Sequence, residues 1–455
     1  MKKIHQEVTP SFIESIKIVL IVIAIMSVSM IGFGSVPHVP IMISILLLVL
    51  FGLIKKAPFS KLQEGMISGA SSGMAAIFIF LFIGVLISAF MLSGTIPTLM
   101  YYGLYLTEFP FFFTAVFAIT AIIGISIGSS LTTVATVGVV FISIAGSLDF
   151  SLAVTAGAIV SGAFFGDKMS PLSDTTNLAS SVVGVDLFTH IRHMSWTTIP
   201  AFVLTAIFFM FFSSDQAGGH SEGIILIREQ LNDTGLIHLY SLLPIALLFI
   251  FAAKKIPALL TLISAVVFSI AISYIHSTVP VSELFGVLFS GYSAASESEQ
   301  INELLNRGGV ESMMFTISLV FLALGLGGLL FTTGVIPALF NKIRSGKGTL
   351  VKAAGTAIGT NVLIGEQYLS ILLTGETFAH QADEENIERK NLSRVLEDAG
   401  TVINPLVPWG VCGVFITGVL GVEVIEYLPF AFFCLISPVL TLLYIYTGWT
   451  VTKTE

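Results

Sequence analysis

The sequence has little charge and almost no cysteine. Only 11% of its 455 residues are charged, whereas soluble globular domains carry about 25%, and this deficit excludes an ordinary soluble enzyme. The 20 basic residues are outnumbered by 28 acidic ones and are dispersed along the chain, which excludes a nucleic-acid-binding surface. The two cysteines, Cys412 and Cys434, lack the spacing of a zinc or redox motif and are predicted to be small buried apolar side chains.

Long apolar stretches dominate the rest of the chain. Hydrophobic residues make up 55% of it, its mean hydropathy is +0.96, and apolar runs of about 20 residues are long enough to span a bilayer. We predict an all-α polytopic membrane protein in which residues 1–455 form one integral unit, with the first apolar run retained because no cleavage site follows it. The ten predicted spans are residues 12–34, 37–54, 72–93, 150–177, 196–213, 236–252, 257–275, 312–333, 396–420 and 424–448.

Two further apolar stretches, residues 110–147 and 349–374, are rich in glycine and interrupted midway. The predicted interruptions are residues 124–130 in the first stretch and 355–361 in the second. We predict that each stretch is a re-entrant hairpin, which returns to the side of the membrane from which it entered. Backbone breaks at membrane depth are tolerated where they are buried in protein or line a water-filled cavity.

The distribution of Lys and Arg predicts the orientation, because short cytoplasmic loops retain these residues. The predicted outside loops 94–109, 214–235 and 276–311 contain only Arg228 and Arg307. Ten crossings and two same-side hairpins then place both termini in the cytoplasm, which we assign to the bacterial cytoplasmic membrane. The residues that mark the inside are Lys2, Lys3, Lys55, Lys56, Lys61, Arg192, Lys254, Lys255, Lys342, Arg344, Lys347, Lys352, Arg389, Lys390, Arg394 and Lys453.

The two halves of the chain resemble one another. Residues 94–99 (GTIPTL) match residues 334–339 (GVIPAL), and Asp167 and Ser170 align with Asp398 and Thr401 at an offset of 231. We predict two repeats, residues 60–213 and 300–448, which run in opposite directions across the membrane. Inverted repeats with broken helices are typical of secondary transporters whose site lies near the bilayer midplane. Close helix packing is the alternative explanation for the glycines.

Charged residues occur inside an apolar segment around residues 161–180. Asp167, Lys168 and Asp174 lie there, and an ionised group at the centre of a span costs about 2.5 to 3.5 kcal/mol. Pro171 is predicted to break this helix and free backbone carbonyl groups. Oxygen ligands favour Na⁺ or another alkali cation over a transition metal. The neutral oxygen donors around the break are Ser170, Ser173, Thr175, Thr176 and Asn177.

The second repeat supplies further candidate ligands, with Pro405 and Pro408 predicted to break its helix. We predict that Asp167 and Asp398 approach one another and bind Na⁺, because two nearby carboxylates can hold a proton and exchange it for a cation. Lys168 is predicted either to reach the interface or to pair with Asp398 or Glu366. The predicted ion and proton ligands are Asp167, Asp398, Asp174, Glu366, Ser170, Thr175, Asn177, Thr401 and Asn404.

Two cytoplasmic features are predicted to be solvated. His190 and His193 are assigned to the surface, with pH sensing as the alternative, and residues 375–395 are assigned to a solvated helix.

The two motifs GAFFGDKMSPLSDTTNLA and LEDAGTVINPLVPWG resemble those of the NhaC family of Na⁺/H⁺ antiporters, and the resemblance covers essentially the whole chain. It implies inverted repeats, paired re-entrant hairpins and an elevator-type transport domain, often in a homodimer. It also implies exchange of internal Na⁺, sometimes Li⁺, for external H⁺, with no cofactor and with lipid, Na⁺ and protons as partners. Some similar relatives exchange malate, lactate or amino acids instead.

We therefore expect a transporter and not an enzyme. The alternative transporter is a Na⁺/H⁺-coupled exchanger of organic solutes, in which Lys168 or the hairpin residues Ser129, Ser130, Thr360 and Asn361 hold a carboxylate. An intramembrane aspartyl hydrolase is disfavoured, because Asp167 follows Phe-Phe-Gly and not Gly-X-Gly. Asn in place of Asp167 or Asp398 is expected to abolish exchange with normal folding.

Overall fold

The computed structural model describes residues 6–213, 221–254, 256–296, 298–343 and 348–454. The regular structure in these ranges is helical, apart from one isolated β-bridge between Ile387 and Lys453, so the predicted all-α class is confirmed. Within the described ranges, six helices are long and apolar enough to cross a membrane, or up to eight if each of two bent pairs forms one span. The chain is therefore a multi-pass membrane protein, whereas the count of ten spans stays a prediction.

The first half of the chain contains twelve helices among the described residues. Their bounds are α1 Phe12–Ser27, α2 His38–Ile54, α3 Phe59–Ser72, α4 Met74–Leu92, α5 Thr95–Gly103, α6 Phe112–Ile127, α7 Ser130–Thr133, α8 Val139–Ser147, α9 Leu152–Met169, α10 Asp174–Val183, α11 Leu187–Ser213 and α12 Ser221–Asp233. Short π-helices occupy Val28–Gly32 and Val134–Gly138, and a 3₁₀ helix occupies Leu104–Glu108.

The second half continues in the same way. Its helices are α13 Leu243–Ala253, α14 Ala258–His276, α15 Val281–Ser290, α16 Glu299–Leu305, α17 Val310–Thr332, α18 Val335–Ile343, α19 Thr349–Ile364, α20 Gln367–Glu384, α21 Arg389–Val395, α22 Val411–Leu420, α23 Val424–Tyr427 and α24 Phe432–Thr447. A π-helix follows α21 at Leu396–Thr401, and 3₁₀ helices occupy Leu239–Leu242, Asn404–Leu406 and Leu428–Phe430.

The first predicted hairpin is broken at its expected place. Helix α6 ends at Ile127, Gly128 adopts a left-handed conformation with φ of 69°, and Ser129 caps the next helix. A left-handed residue is easiest for glycine, which has no Cβ to clash. Gly124 has another role, because a Cβ added to Gly166 of α9 would lie 2.5 Å from the Gly124 Cα. Gly124 therefore allows α6 and α9 to pack closely.

The second predicted break, at residues 355–361, is wrong. Helix α19 runs unbroken from Thr349 to Ile364, and the chain breaks at Gly365, which has φ of 75°. Gly355 and Gly359 lie inside α19 with open space where a Cβ would be. Glycine lowers the stability of a helix interior by only about 1 kcal/mol, so its presence alone does not end a helix.

Prolines break the two helices that carry the intramembrane charges, as predicted. Helix α9 ends at Met169, and the next residue, Ser170, is extended, with ψ of 127°. Val407 is likewise extended, with ψ of 116°. Each residue precedes a proline, Pro171 or Pro408, and a proline ring disfavours the helical conformation of the residue before it. Around the second break, the helical segments 389–406 and 411–420 meet at 45°.

The orientation of the chain stays a prediction. Among the residues that mark the inside loops, Lys2, Lys3, Lys255, Arg344 and Lys347 lie outside the described residues.

The predicted surface location of the two histidines is wrong. His190 and His193 of α11 are buried, with His190 Nδ1 2.8 Å from the Ser393 hydroxyl group.

Candidate functional site

A cavity of about 690 Å³ lies where the break after α9 meets the tips of both hairpins. The break contributes Asp167 and Asp174, and the second hairpin contributes Glu366. The opposite wall, from α4, α13 and α14, is largely apolar. Among the described residues that line the cavity, three are acidic and none is Lys, Arg or His. This lining favours a cation, because carboxylates attract positive charge strongly in a low-dielectric environment.

Asp167 connects the cavity to the interior of the protein. It lies in the last turn of α9 and is buried. Its Oδ2 atom accepts a hydrogen bond of 2.7 Å from Ser130 Oγ at the tip of the first hairpin. Its Oδ1 atom has no hydrogen-bond partner in the described part of the chain. A buried oxygen without a partner is costly, so this atom is available to bind an ion.

Asp174 links the broken helix to the second hairpin. Ser173 caps α10 by accepting from the Thr176 backbone N–H group at 3.3 Å, which fixes Asp174 in the first turn. Asp174 Oδ1 accepts from its neighbouring Thr175 N–H group at 2.9 Å. Its Oδ2 atom accepts from the Tyr368 hydroxyl group at 2.5 Å. Both carboxylate oxygens therefore have donors, and one of these donors belongs to α20.

Glu366 faces the cavity from the break of the second hairpin. It precedes α20, and its Oε2 atom accepts a hydrogen bond of 2.6 Å from the Leu369 backbone N–H group. This cap satisfies one of the donors that the first turn of a helix leaves unpaired. Glu366 thus combines a structural contact with a position in the cavity lining.

The neutral residues predicted near the first break fall into two groups. Ser129, Ser130 and Asn177 line the cavity, and Asn177 Nδ2 donates to the Ser173 carbonyl oxygen at 2.6 Å. Ser170 and Thr175 do not line the cavity in the described part of the chain. Ser170 Oγ accepts from the Leu172 N–H group at 3.3 Å, and the Thr175 hydroxyl group lies 3.0 Å from that of Ser173. These two hydroxyl groups shape the loop.

Of the site residues predicted in the second repeat, Glu366 alone belongs to the described part of the cavity lining. Asn361 Nδ2 donates to the Gly400 carbonyl oxygen at 2.6 Å, and Asn404 Nδ2 donates to Asn361 Oδ1 at 2.9 Å. Thr360 bonds within its own helix, to the Thr356 carbonyl oxygen at 2.8 Å. The two Asn361 contacts hold α19 against the π-helix and the 3₁₀ helix Asn404–Leu406.

Asp398 forms a buried ion pair with Lys168, as one of the alternatives for Lys168 predicted. Its Oδ2 atom also accepts hydrogen bonds from Thr441 and, at 2.8 Å, from Thr197. The approach of Asp398 to Asp167 stays a prediction, since the contacts that Asp398 makes in the described part of the chain are with Lys168, Thr197 and Thr441. Adjacent residues on a helix point about 100° apart. Asp167 faces the first hairpin, whereas Lys168 faces Asp398.

Sequence reasoning missed Glu397, which precedes Asp398 in the motif LEDAG. Glu397 is fully buried, and neither of its carboxylate oxygens has a partner among the described residues. Two consecutive acidic residues in an apolar segment were the available signal. The predicted solvated helix 375–395 is also wrong at its end, where Arg394 is buried and donates to the Thr450 hydroxyl group at 2.7 Å.

Comparisons with known proteins agree on one family. A sequence model described as the Na⁺/H⁺ antiporter family matches residues 162–449. The Na⁺/H⁺ antiporter NhaC of Alkalihalophilus pseudofirmus is 42% identical over 96% of this chain and 95% of its own length. NhaC of Bacillus subtilis is 40% identical over 90% of this chain and 91% of its own length. The malate-2H⁺/Na⁺-lactate antiporter of Bacillus subtilis is 32% identical and covers 94% of each chain.

Proposed function

This chain belongs to the Na⁺/H⁺ antiporter family, and we propose that it is a secondary transporter that exchanges Na⁺ for H⁺. The observation that carries the proposal is the cavity lining, in which Asp167, Asp174 and Glu366 occur without a basic residue among the described lining residues. Internal Na⁺, or Li⁺, leaves the cell and external H⁺ enters. The transporter acts in the bacterial cytoplasmic membrane with both termini inside.

Competition for the same oxygens couples the two ions. Asp167 has one carboxylate oxygen held by Ser130 and one without a partner among the described residues. Na⁺ is a hard cation that prefers oxygen ligands, and a proton neutralises the same carboxylate. Because one group holds either ion but not both, binding of Na⁺ releases H⁺ and the reverse. The hydroxyl groups of Ser129 and Ser130 and the Asp174 carboxylate complete the ligands in our proposal.

We propose that the two predicted repeats, residues 60–213 and 300–448, provide alternating access to the cavity. Gly94 and Gly334, with φ of 71° and 72°, each precede a nine-residue helix. Helices α6 and α19 each have 16 residues and end at a left-handed glycine. We infer that the two hairpins and broken helices move as an elevator against the apolar wall, within a homodimer. Rigid-body movement of one repeat or bundle against another is the usual basis of alternating access in secondary transporters.

A Na⁺/H⁺-coupled exchanger of organic solutes is the second candidate. The cavity volume of about 690 Å³ lies within the range of small-molecule pockets, about 300 to 1,000 Å³. The proposed carboxylate-binding role of Lys168 lacks support, because Lys168 contacts Asp398 and does not belong to the described lining. An anionic solute would meet three acidic residues, so this candidate is the weaker one.

The test of function uses the purified protein in liposomes that contain a pH-sensitive dye and no organic solute. We expect external NaCl or LiCl to raise the internal pH, because cation entry drives proton exit, whereas choline chloride should have no effect. A response that requires internal malate, lactate or an amino acid would contradict simple exchange and favour the second candidate. Liposomes without protein serve as the control.

Removal of the Tyr368 hydroxyl group should weaken Na⁺ binding. In Tyr368→Phe, Asp174 loses the hydrogen bond that ties α10 to the second hairpin, and a hydrogen bond to a charged group contributes about 1.5 to 3 kcal/mol. We expect the KM for Na⁺ to rise by roughly tenfold with a nearly unchanged maximal rate. Tyr274→Phe is the matched control, because its hydroxyl group bonds to Val279 away from the cavity. An unchanged KM in Tyr368→Phe would contradict this role.

A further inference from the structure

A second group of oxygens without partners lies on the π-helix Leu396–Thr401. Both carboxylate oxygens of Glu397 and the hydroxyl oxygen of Thr401 are buried and make no hydrogen bond to the described residues. Thr401 lies four residues after Glu397, about one turn further along the same π-helix. π-Helices are rare and occur frequently at functional sites. These two side chains therefore form a buried polar cluster to which the described residues donate no hydrogen bonds.

Asp167 relates this cluster to the cavity. The two segments contact each other, because Lys168, which follows Asp167, forms the buried ion pair with Asp398, which follows Glu397. Its Oδ2 atom is occupied by Ser130, whereas its Oδ1 atom has no partner within the described ranges. Glu397 itself is not part of the described cavity lining. The cluster is thus distinct from the cavity, and Asp167 lies at the boundary between them.

The two basic residues near Glu397 make no ion pair with it in the described part of the chain. Lys168 forms an ion pair with Asp398 and places its ammonium group 5.6 Å from the centre of the Phe433 ring. Arg394 donates to Thr450, and neither basic side chain makes a hydrogen bond or ion pair with Glu397 among the described residues. An unpaired carboxylate in the protein interior is strongly unfavourable. A bound cation would provide the missing charge.

We propose that Glu397 and Thr401 form an inner Na⁺ site that shares Asp167 with the cavity. The site offers carboxylate and hydroxyl oxygens, which are the ligands that a monovalent hard cation prefers. This inference rests on the proposed function, since the ion would reach Glu397 from the cavity past Asp167. The transporter would then hold two cations in series, one facing the cavity and one behind it.

Equilibrium binding of ²²Na⁺ to the purified full-length protein in detergent tests the inner site. We expect Glu397→Gln to bind one Na⁺ fewer per chain than the wild type, with the affinity of the remaining site within about threefold of the wild-type value. Thr401→Val should weaken the inner site by roughly tenfold and keeps the test valid if Glu397→Gln does not fold. Glu376→Gln, on an exposed part of α20, is the matched control and should bind as the wild type does.

The outcomes separate the two proposals. Equal Na⁺ binding by the wild type and Glu397→Gln would overturn the inner site and leave the cavity and the exchange function intact. Normal Na⁺/H⁺ exchange by a wild type that binds a single Na⁺ would also overturn the inner site, since Glu397 would then hold only a proton. A wild type that neither binds Na⁺ nor exchanges it would contradict the proposed function itself.

Discussion

Asp167→Asn should reduce Na⁺/H⁺ exchange by at least about 100-fold, which corresponds to about 2.7 kcal/mol. Asn keeps the size of the side chain, and its amide oxygen can still accept the hydrogen bond from Ser130. It cannot carry a negative charge or bind a proton at neutral pH. The variant therefore loses both the cation ligand and the exchangeable proton. Dye-loaded liposomes report the rate, and size-exclusion chromatography reports the folded state.

The control for this variant is Asp186→Asn. Asp186 directly precedes α11 and does not line the cavity among the described residues. Its carboxylate accepts hydrogen bonds from the backbone N–H and hydroxyl groups of Thr189. The substitution removes the same charge, so we expect exchange within about twofold of the wild-type rate, because surface substitutions away from a site have small effects. Full activity in Asp167→Asn, with normal expression, would refute Asp167 as the exchanging carboxylate.

Local sequence signals predicted those parts of the fold that depend on local chemistry. The break after α9 follows from Pro171, because a proline disfavours a helical conformation in the preceding residue. The break of the first hairpin falls at Gly128, within the predicted residues 124–130. The second break was misplaced, because Gly355 and Gly359 remain helical and only Gly365 adopts the left-handed conformation. Composition alone does not show which glycine takes this conformation.

Which charged side chains contact one another depends on tertiary packing and could not be predicted from the sequence. The repeat pattern aligned Asp398 with Asp167, but the structure pairs Asp398 with Lys168 and leaves Glu397 without a partner among the described residues. Consecutive residues on a helix point in different directions. A sequence therefore places two acidic residues in one segment without showing which of them faces a counter-charge. That distinction required the positions of α9 and the π-helix.

The Lys168–Asp398 pair changes the expectation for Asp398. From the sequence alone, Asp398→Asn should stop exchange with normal folding, whereas the buried pair predicts a stability defect. Lys168→Met leaves the Asp398 carboxylate unpaired in a fully buried site, and Asp398→Asn leaves the Lys168 ammonium group without its counter-charge. Each change should lower the free energy of unfolding by about 3 to 5 kcal/mol. Thermal unfolding in detergent should show a clearly lower melting temperature for each single variant.

The double variant Lys168→Met with Asp398→Leu identifies the cause. It removes both charges together, and apolar replacement of a buried pair is often close to neutral, so its stability should exceed that of either single variant. The exposed pair Lys61–Glu64 provides the control, since surface ion pairs contribute about 0 to 1 kcal/mol. Additive losses in the double variant would contradict a coupled pair. If the stable double variant also lacks exchange, the pair contributes to transport in addition to folding.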